Sequence, residues 1–185
     1  SSEFYIEKEF KNLINYKIVK SKNKTNFETF LNLQNIGLKI DDIGYKKIKK
    51  DKANLQIKGF ESKKTILFKN INYKNNDNEI EINNLKINNS KILNVDKIRL
   101  DHLTENDFKN QITLFKKNNK YELIGKSFDS IQFIENISNS EPDKNFFDIF
   151  KNLNTKIKVN IDQVKLDEDN TVYNLKGNLE VKKSK

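Results

Sequence analysis

The sequence predicts a mainly β fold, in which an antiparallel meander forms a curved, groove-like sheet and one or two short helices cover its apolar face. Apolar and polar residues alternate along much of the 185-residue chain, which is the signature of strands with one buried face. Turn signals separate these runs at intervals of about 10–15 residues, the spacing of a meander. The hydrophobic fraction of 35% is enough for such a sheet but thin for a thick two-layer core.

The alternating runs share branched aliphatic residues at every second position, so these side chains are expected on one face of the sheet. The expected lining of that face is Leu55, Ile57, Leu67, Ile80, Ile82, Leu85, Ile87, Ile98, Leu100, Ile112, Leu114, Leu123, Ile157, Val159 and Ile161. A one-residue phase slip at Asn83–Asn84 predicts a bulge or tight turn there. The expected turns between strands are Asn75–Asn78, Asn88–Ser90, Lys117–Lys120 and Asp167–Asn170. The stretch Phe4–Lys20 also alternates and is predicted to contain strand.

Two segments have helical rather than strand periodicity. Residues 129–138 carry isoleucines at helical spacing, with Asp129 as the expected N-cap. A second helix start at Ser140–Asp143 precedes an aromatic stripe that includes Phe146, Phe147 and Phe150. These helices are interpreted as a cap on the apolar face, and the alternative is that the phenylalanine-rich helix is a lid over an open groove.

The predicted organisation is an antiparallel β-groove over residues 1–128, a helical insert or cap over 129–153, and a continuing β-hairpin over 154–185. The chain contains no methionine and starts at Ser1. It is therefore expected to be a piece of a longer protein, and the resemblance described below implies that it is one fragment of a longer repeat array.

The charge pattern favours a solvated lysine face. The net charge is +9, but Arg99 is the one arginine, whereas nucleic-acid sites favour arginine for bidentate contacts. The lysines are interleaved with Asp and Glu along the chain, so no nucleic-acid partner is expected. The sequence has no cysteine, which excludes disulfides, thiolate zinc sites and cysteine nucleophiles. No apolar run approaches the roughly 20 residues of a membrane-spanning helix.

No convergent set of reactive residues indicates an enzyme, a metal site or a cofactor. His102 is the single histidine and is interpreted as a surface turn residue. The glycines are isolated, so there is neither a nucleophile elbow nor a phosphate-binding loop. The acidic run Asp167–Asp169 is interpreted as a hairpin turn rather than a calcium site, because it lacks the glycine and distal glutamate of a calcium loop.

The order of elements over Leu31–Ile137 resembles the central β domain of the AsmA-like superfamily, the bacterial envelope proteins of the YhdP and TamB type. Residues 31–38 look like the opening strand of that domain, and Ile43–Lys47 resembles its Gly-aromatic-basic turn. The strand-like stretches that follow in matching order are 53–60, 66–73, 79–87, 98–100 and 112–114. The most specific segment is Tyr121–Asp129, which resembles a strand running into a Gly-x-Ser-apolar-Asp corner before a helix.

The resemblance implies a segment of a periplasmic, bridge-like lipid-transfer protein. In such a protein the apolar residues given above would line a groove that shields phospholipid acyl chains between the inner and outer membranes, and Phe146, Phe147 and Phe150 would form its lid. The parent protein would be anchored in the inner membrane by a part outside this chain, and the segment would be monomeric and non-catalytic. One alternative is a structural or interaction module of the bacterial envelope. Another is a polyanion binder that uses the lysine face for nucleic acid, lipopolysaccharide phosphate or anionic lipid headgroups.

Overall fold

The computed structural model describes residues 14–89, 91–118, 120–138 and 155–181. One large, curved, mostly antiparallel open sheet dominates the described residues. Its strands are β1 (Ile14–Ser21), β2 (Lys24–Asn32), β5 (Ala53–Ser62), β6 (Thr65–Asn75), β7 (Asn78–Asn88), β8 (Lys91–Asn94), β9 (Lys97–Leu103), β10 (Lys109–Lys117), β11 (Lys120–Asp129), β12 (Thr155–Lys165) and β13 (Thr171–Val181). A separate two-stranded sheet joins β3 (Leu38–Ile40) to β4 (Tyr45–Lys47), with a 3₁₀ turn at Asp41–Ile43, and the helix α1 spans Ile131–Ser138.

The mainly β class and the curved sheet are confirmed, but the sheet is not a pure meander. Its strand order is β1-β2-β5-β6-β7-β9-β10-β11-β12-β13, with β8 pairing beside β9 on β7. Every pair is antiparallel except β11 and β12, which run parallel. The chain leaves β11 through α1 and re-enters the sheet at Thr155 in the same direction, as a crossover connection requires.

The four predicted turns are confirmed for their described residues, since each lies between two paired strands; Ser90 and Asn119 lie outside the described residues. In the acidic turn, the Asp167 carboxylate accepts hydrogen bonds from the backbone N–H groups of Asp169 (2.9 Å) and Asn170 (2.8 Å). This is the local geometry of an Asx turn. The strand predicted near the N-terminus is present as β1, and residues 4–13 lie outside the described residues.

The predicted phase slip is confirmed at Asn84, which adopts a left-handed conformation with φ of 50°. Asparagine tolerates this conformation better than most residues. Facing it in β6, Lys69 is the extra residue of a bulge, because Lys58 pairs with Asn70 while Gly59 pairs with Phe68. The alternation therefore shifts by one residue in both strands, and Leu85 returns to the apolar face opposite Phe68.

Local corrections concern three boundaries. Strand β2 ends at Asn32, so most of the segment 31–38, expected as one opening strand, is loop. Gly125 lies inside β11, and the corner comes later, at Asp129–Ser130. The helix begins as predicted, but Ser130 is its N-cap because its carbonyl accepts from the Ile134 N–H (2.8 Å), while the Asp129 carboxylate accepts from the Ile131 N–H (3.1 Å).

Candidate functional site

Apolar side chains form rows that cross the sheet from one edge strand to the other. Cross-strand pairing fixes the rows, because directly paired residues project to the same face. One row runs through Tyr16, Thr29, Ile57, Ile71, Ile82, Ile98, Leu114, Leu123, Val159 and Gly177. The next runs through Ile14, Leu31, Leu55, Tyr73, Ile80, Leu100, Ile112, Gly125, Ile161 and Leu175. Together they make one continuous apolar face about ten strands wide.

Fourteen of the fifteen residues expected on the apolar face lie there. Ile157 pairs with Tyr121, and Ile87 pairs with Ile66 next to Leu85. Leu67 is the exception: it pairs with Phe60 and Lys86 and lies on the polar face. The bulge at Lys69 is the reason, since it shifts the alternation of side chains in β6 by one residue relative to the expected pattern. The expected lid residues Phe146, Phe147 and Phe150 lie outside the described residues.

A cavity of about 330 Å³ lies on the apolar face over β9 to β13. Among the described residues its floor consists of Ile98, Leu100, Ile112, Leu114, Leu123, Ile157, Val159 and Ile161. Phe128, Phe133 and Ile134 from the α1 region and Ile43 from the 3₁₀ turn also line it. The cavity reaches the edge strand β13, where Leu179 is 48% exposed and no described atom lies within 4 Å of the position that a Cβ on Gly177 would occupy.

Helix α1 is fixed to the sheet at its first turn. The Ser130 hydroxyl donates to the Lys165 carbonyl at the end of β12 (2.7 Å), and the Ser130 N–H donates to the same oxygen (2.9 Å). The rings of Phe128 and Phe133 meet with centroids 6.4 Å apart. These contacts hold the aromatic side of the cavity in place.

A buried polar cluster closes the apolar face at the end where β6, β9 and β12 finish. The Tyr45 hydroxyl lies 2.8 Å from the Tyr73 hydroxyl and donates to Asn75 Oδ1 (2.9 Å). Burial raises the pKa of both phenols, so they remain neutral donors at physiological pH. This cluster and the β3–β4 hairpin make what we call the closed end of the sheet.

His102 belongs to the closed end and is not the surface residue that the sequence suggested. It is fully buried in β9, with its ring edge-to-face against Tyr45 at 5.4 Å. Its Nε2 lies 2.9 Å from the Ile43 carbonyl oxygen, so Nε2 carries the proton. The buried side chain of Asn110 accepts from the Asp129 N–H through Oδ1 (2.7 Å), and its Nδ2 donates to the same Ile43 oxygen (3.5 Å), so Asn110 joins the His102 contact to the start of α1. His102 and Asn110 thus connect β9 and β10 to the 3₁₀ turn and to the start of α1.

Lys47 is a second buried polar residue that the expectation of an outward lysine face missed. Its side chain is almost fully buried, and its ammonium donates to the carbonyls of Ile36 (2.8 Å), Ile48 (2.9 Å) and Gln34 (3.4 Å). Lys47 therefore fixes the loop between β2 and β3, in the segment 31–38 that was expected to be one strand. Its neighbours in sequence are ordinary exposed lysines, so composition alone gave no signal.

Cross-strand ion pairs cover part of the opposite, polar face. Glu81 pairs with Lys97 (2.8 Å), and that hydrogen bond lowers the pKa of the Glu81 carboxyl. Arg99 bridges Glu79 (3.4 Å) and Asp101 (2.9 Å), which face each other across β7 and β9. The arginine separates two like charges that would otherwise repel.

In the part of the chain that the structure describes, no group of three or more His, Cys, Asp or Glu side chains is placed to hold a metal ion. No helix among the described residues is long and apolar enough to cross a membrane. The most extended feature of the described residues is the apolar face with its cavity, whose lining is mainly aliphatic and aromatic and suits an apolar ligand. A scan of protein-family models, a search of curated proteins and a search of solved structures each returned no match to this chain.

Proposed function

We propose that this chain is a segment of a lipid-transfer conduit that shields the acyl chains of phospholipids on its apolar face. The observation that carries the proposal is the continuity of the apolar rows across ten strands, with an aliphatic cavity over the last five. An acyl chain needs an uninterrupted dry surface, because each CH₂ withdrawn from water contributes about 0.8 kcal/mol. Rows of isoleucine, leucine and valine supply that surface without directional polar contacts.

The size of the cavity agrees with this role. Its volume of about 330 Å³ lies at the lower end of the range of small-molecule pockets, about 300–1,000 Å³. Burial of about ten methylenes would contribute roughly 8 kcal/mol before the costs of association. That corresponds to affinity in the micromolar range or weaker, which suits a protein that must release its lipid.

The proposal extends to the setting that the family resemblance implies: a periplasmic segment of an AsmA-like protein whose parent is anchored in the inner membrane. The alternative of a non-catalytic structural module of the envelope draws support from the closed end, where Tyr45, Tyr73 and His102 pack without space for a ligand. The two functions differ in whether the cavity takes up lipid.

The test uses Gly177, which pairs with Val159 on the cavity floor and has open space before it. Gly177→Trp places an indole in the cavity, and Lys176→Trp places the same group on the opposite face of the same strand. We expect the first variant to lose at least about tenfold in affinity for a lysophospholipid, because the indole would occupy the volume in which the acyl chain is buried. The second variant should bind as the parent chain does, and both should keep its melting temperature.

Native mass spectrometry of the purified chain and photocrosslinkers at Ile82 and Val159 give independent readouts. If no lipid copurifies, neither position crosslinks to lipid and lysophospholipid binding is undetectable, the conduit proposal is wrong and the structural module is favoured. Equal losses in Gly177→Trp and Lys176→Trp would show that the cavity is not the binding surface.

A further inference from the structure

Six exposed lysines lie at the hairpin turns of one end of the sheet. The turns β1–β2, β5–β6, β7–β8 and β10–β11 all lie at this end, because successive turns of antiparallel strands alternate between the two ends. We call this the rim end, and it lies opposite the closed end. Its turns and the residues flanking them carry six exposed lysines, the lysine rim: Lys22, Lys63, Lys64, Lys91, Lys117 and Lys120.

The closed end carries more acidic than basic residues, and its short turns are acidic. The turns β6–β7, β9–β10 and β12–β13 carry Asp77, Glu105, Asp107, Asp167, Glu168 and Asp169. The longer β2–β5 connection at this end adds Asp41, Asp42 and Asp51. It also carries six lysines: Lys39 and Lys46, which both pair with Glu105 at 3.3 Å, the buried Lys47, and the exposed Lys49, Lys50 and Lys52. No described residue forms an ion pair with a lysine of the rim. The acidic residues near it are Glu61, Asp96, Glu122 and Glu180; Asp96 accepts hydrogen bonds from Asn84 and Asn94, and Glu180 lies 3.9 Å from Lys156.

The rim borders the apolar face on the side that the described covering elements leave free. Those elements attach at the closed end, through the contact of His102 with Ile43 and the contact of Ser130 with Lys165. Hairpins two strands apart are spaced by about 10 Å, close to the Debye length of about 10 Å at 0.1 M salt. The positive potentials of neighbouring hairpin turns therefore add to one another along the rim.

We infer that the lysine rim binds the phosphate of anionic phospholipids whose acyl chains lie on the apolar face. At the closed end, the buried Tyr45, His102 and Asn110 fill the space directly over the sheet. The cavity of about 250 Å³ that remains there is lined by three carboxylates, Asp41, Glu105 and Asp129, which disfavour a phosphate. The phosphate of a lipid on the apolar rows then meets the rim, and the groove favours phosphate-bearing lipids over neutral ones with the same chains. The inference rests on the proposed function and adds a headgroup preference to it.

The experiment compares two ligands with the same acyl chain, lysophosphatidylglycerol and monoacylglycerol, as monomers with the purified 185-residue chain. The charged lipid should bind roughly tenfold more tightly at about 0.1 M salt, because several exposed ion pairs of modest strength act together. The difference should close at about 1 M salt, where the Debye length falls to about 3 Å. Free glycerol phosphate should not displace the charged lipid, since the rim alone offers no cavity.

Two variants of equal charge locate the preference. One replaces Lys63, Lys64, Lys117 and Lys120 with glutamine and should bind the two lipids equally. The control replaces Lys17, Lys126, Lys158 and Lys176, exposed lysines that alternate with the apolar rows on the polar face, and should keep the preference. Equal effects of the two variants, or displacement of the lipid by glycerol phosphate or by duplex DNA at matched charge, would overturn the inference. If neither lipid binds at all, the proposed function fails instead; if both bind equally to the parent chain, the headgroup inference alone fails.

Discussion

The buried histidine makes the stability of this protein depend on pH in a defined window. Burial lowers the pKa of His102 below its ordinary value of about 6.5, and the positive charge of Lys109 acts in the same direction against the opposing effects of Asp101 and Asp129. Its Nδ1 has no hydrogen-bond partner among the described residues, and Nε2 already donates to Ile43. Protonation would therefore add a buried N–H donor with no acceptor.

Proton linkage fixes the direction in which pH changes the free energy of unfolding. Below the unfolded pKa of about 6.5 the unfolded chain binds a proton at His102 that the folded chain does not, so acid favours unfolding. The free energy of unfolding is fully retained above that pH, and it falls by about 1.4 kcal/mol for each pH unit between the unfolded pKa and the lower folded one. The carboxyls of Glu79 and Glu81, whose pKa values are also lowered, add their own loss only as the pH drops through the acid range below about 4.5.

Urea unfolding at a series of pH values between about 8 and 5 measures this dependence, with slopes compared to the linkage expectation of about 1.4 kcal/mol per unit. Because His102 is the one histidine, its ring proton gives a single unambiguous NMR titration. His102→Gln should remove the dependence in this window while costing some stability at pH 7. A titration midpoint at or above the ordinary value, or an unchanged pH dependence in His102→Gln, would refute the reasoning.

Two further substitutions test local features. Gly125→Ala should lower the free energy of unfolding by roughly 1–3 kcal/mol, because its Cβ would lie 2.4 Å from the Gln111 carbonyl oxygen, whereas Gly177→Ala should be nearly neutral in the same urea assay. Lys47→Met should cost roughly 1–3 kcal/mol, since three part-buried carbonyls lose their donor; stability equal to that of the parent chain would show that those carbonyls find other partners.

The sheet was predictable because its signal is repeated many times. Alternation in β7, β9, β10 and β12 fixes which residues are buried. The slip at Asn84 was visible because Leu85 and Ile87 are out of phase with Ile80 and Ile82. The matching bulge at Lys69 was not, because Leu67 and Phe68 are both apolar and either phase satisfies the pattern. Leu67 was misplaced for this reason alone.

The closed end could not be predicted, because its residues meet only through tertiary contacts. Tyr45 and Tyr73 are 28 residues apart, and His102 and Ile43 are 59 apart. Each looks like an ordinary polar or surface residue in its local sequence. The parallel entry of β12 was equally hidden, because the direction of a strand after a helix depends on how the connection packs and not on the strand's own pattern.

The lysine rim had a sequence signal of another kind. Along the chain the basic turn at Lys63–Lys64 is followed by the acidic turn at Asp77, and the basic Lys117–Lys120 turn follows the acidic Glu105–Asp107 turn. Read linearly, this is interleaving, and it suggested a lysine face with its charges mixed. In an antiparallel meander, however, consecutive turns go to opposite ends of the sheet, so short turns that alternate in sign along the chain separate into a basic set and an acidic set. The longer β2–β5 connection is the exception, because it places Lys49, Lys50 and Lys52 at the acidic end. Charge that appears mixed in the sequence of the short turns is thus sorted by the topology, and the basic set falls on the side of the apolar face that the described covering elements leave free.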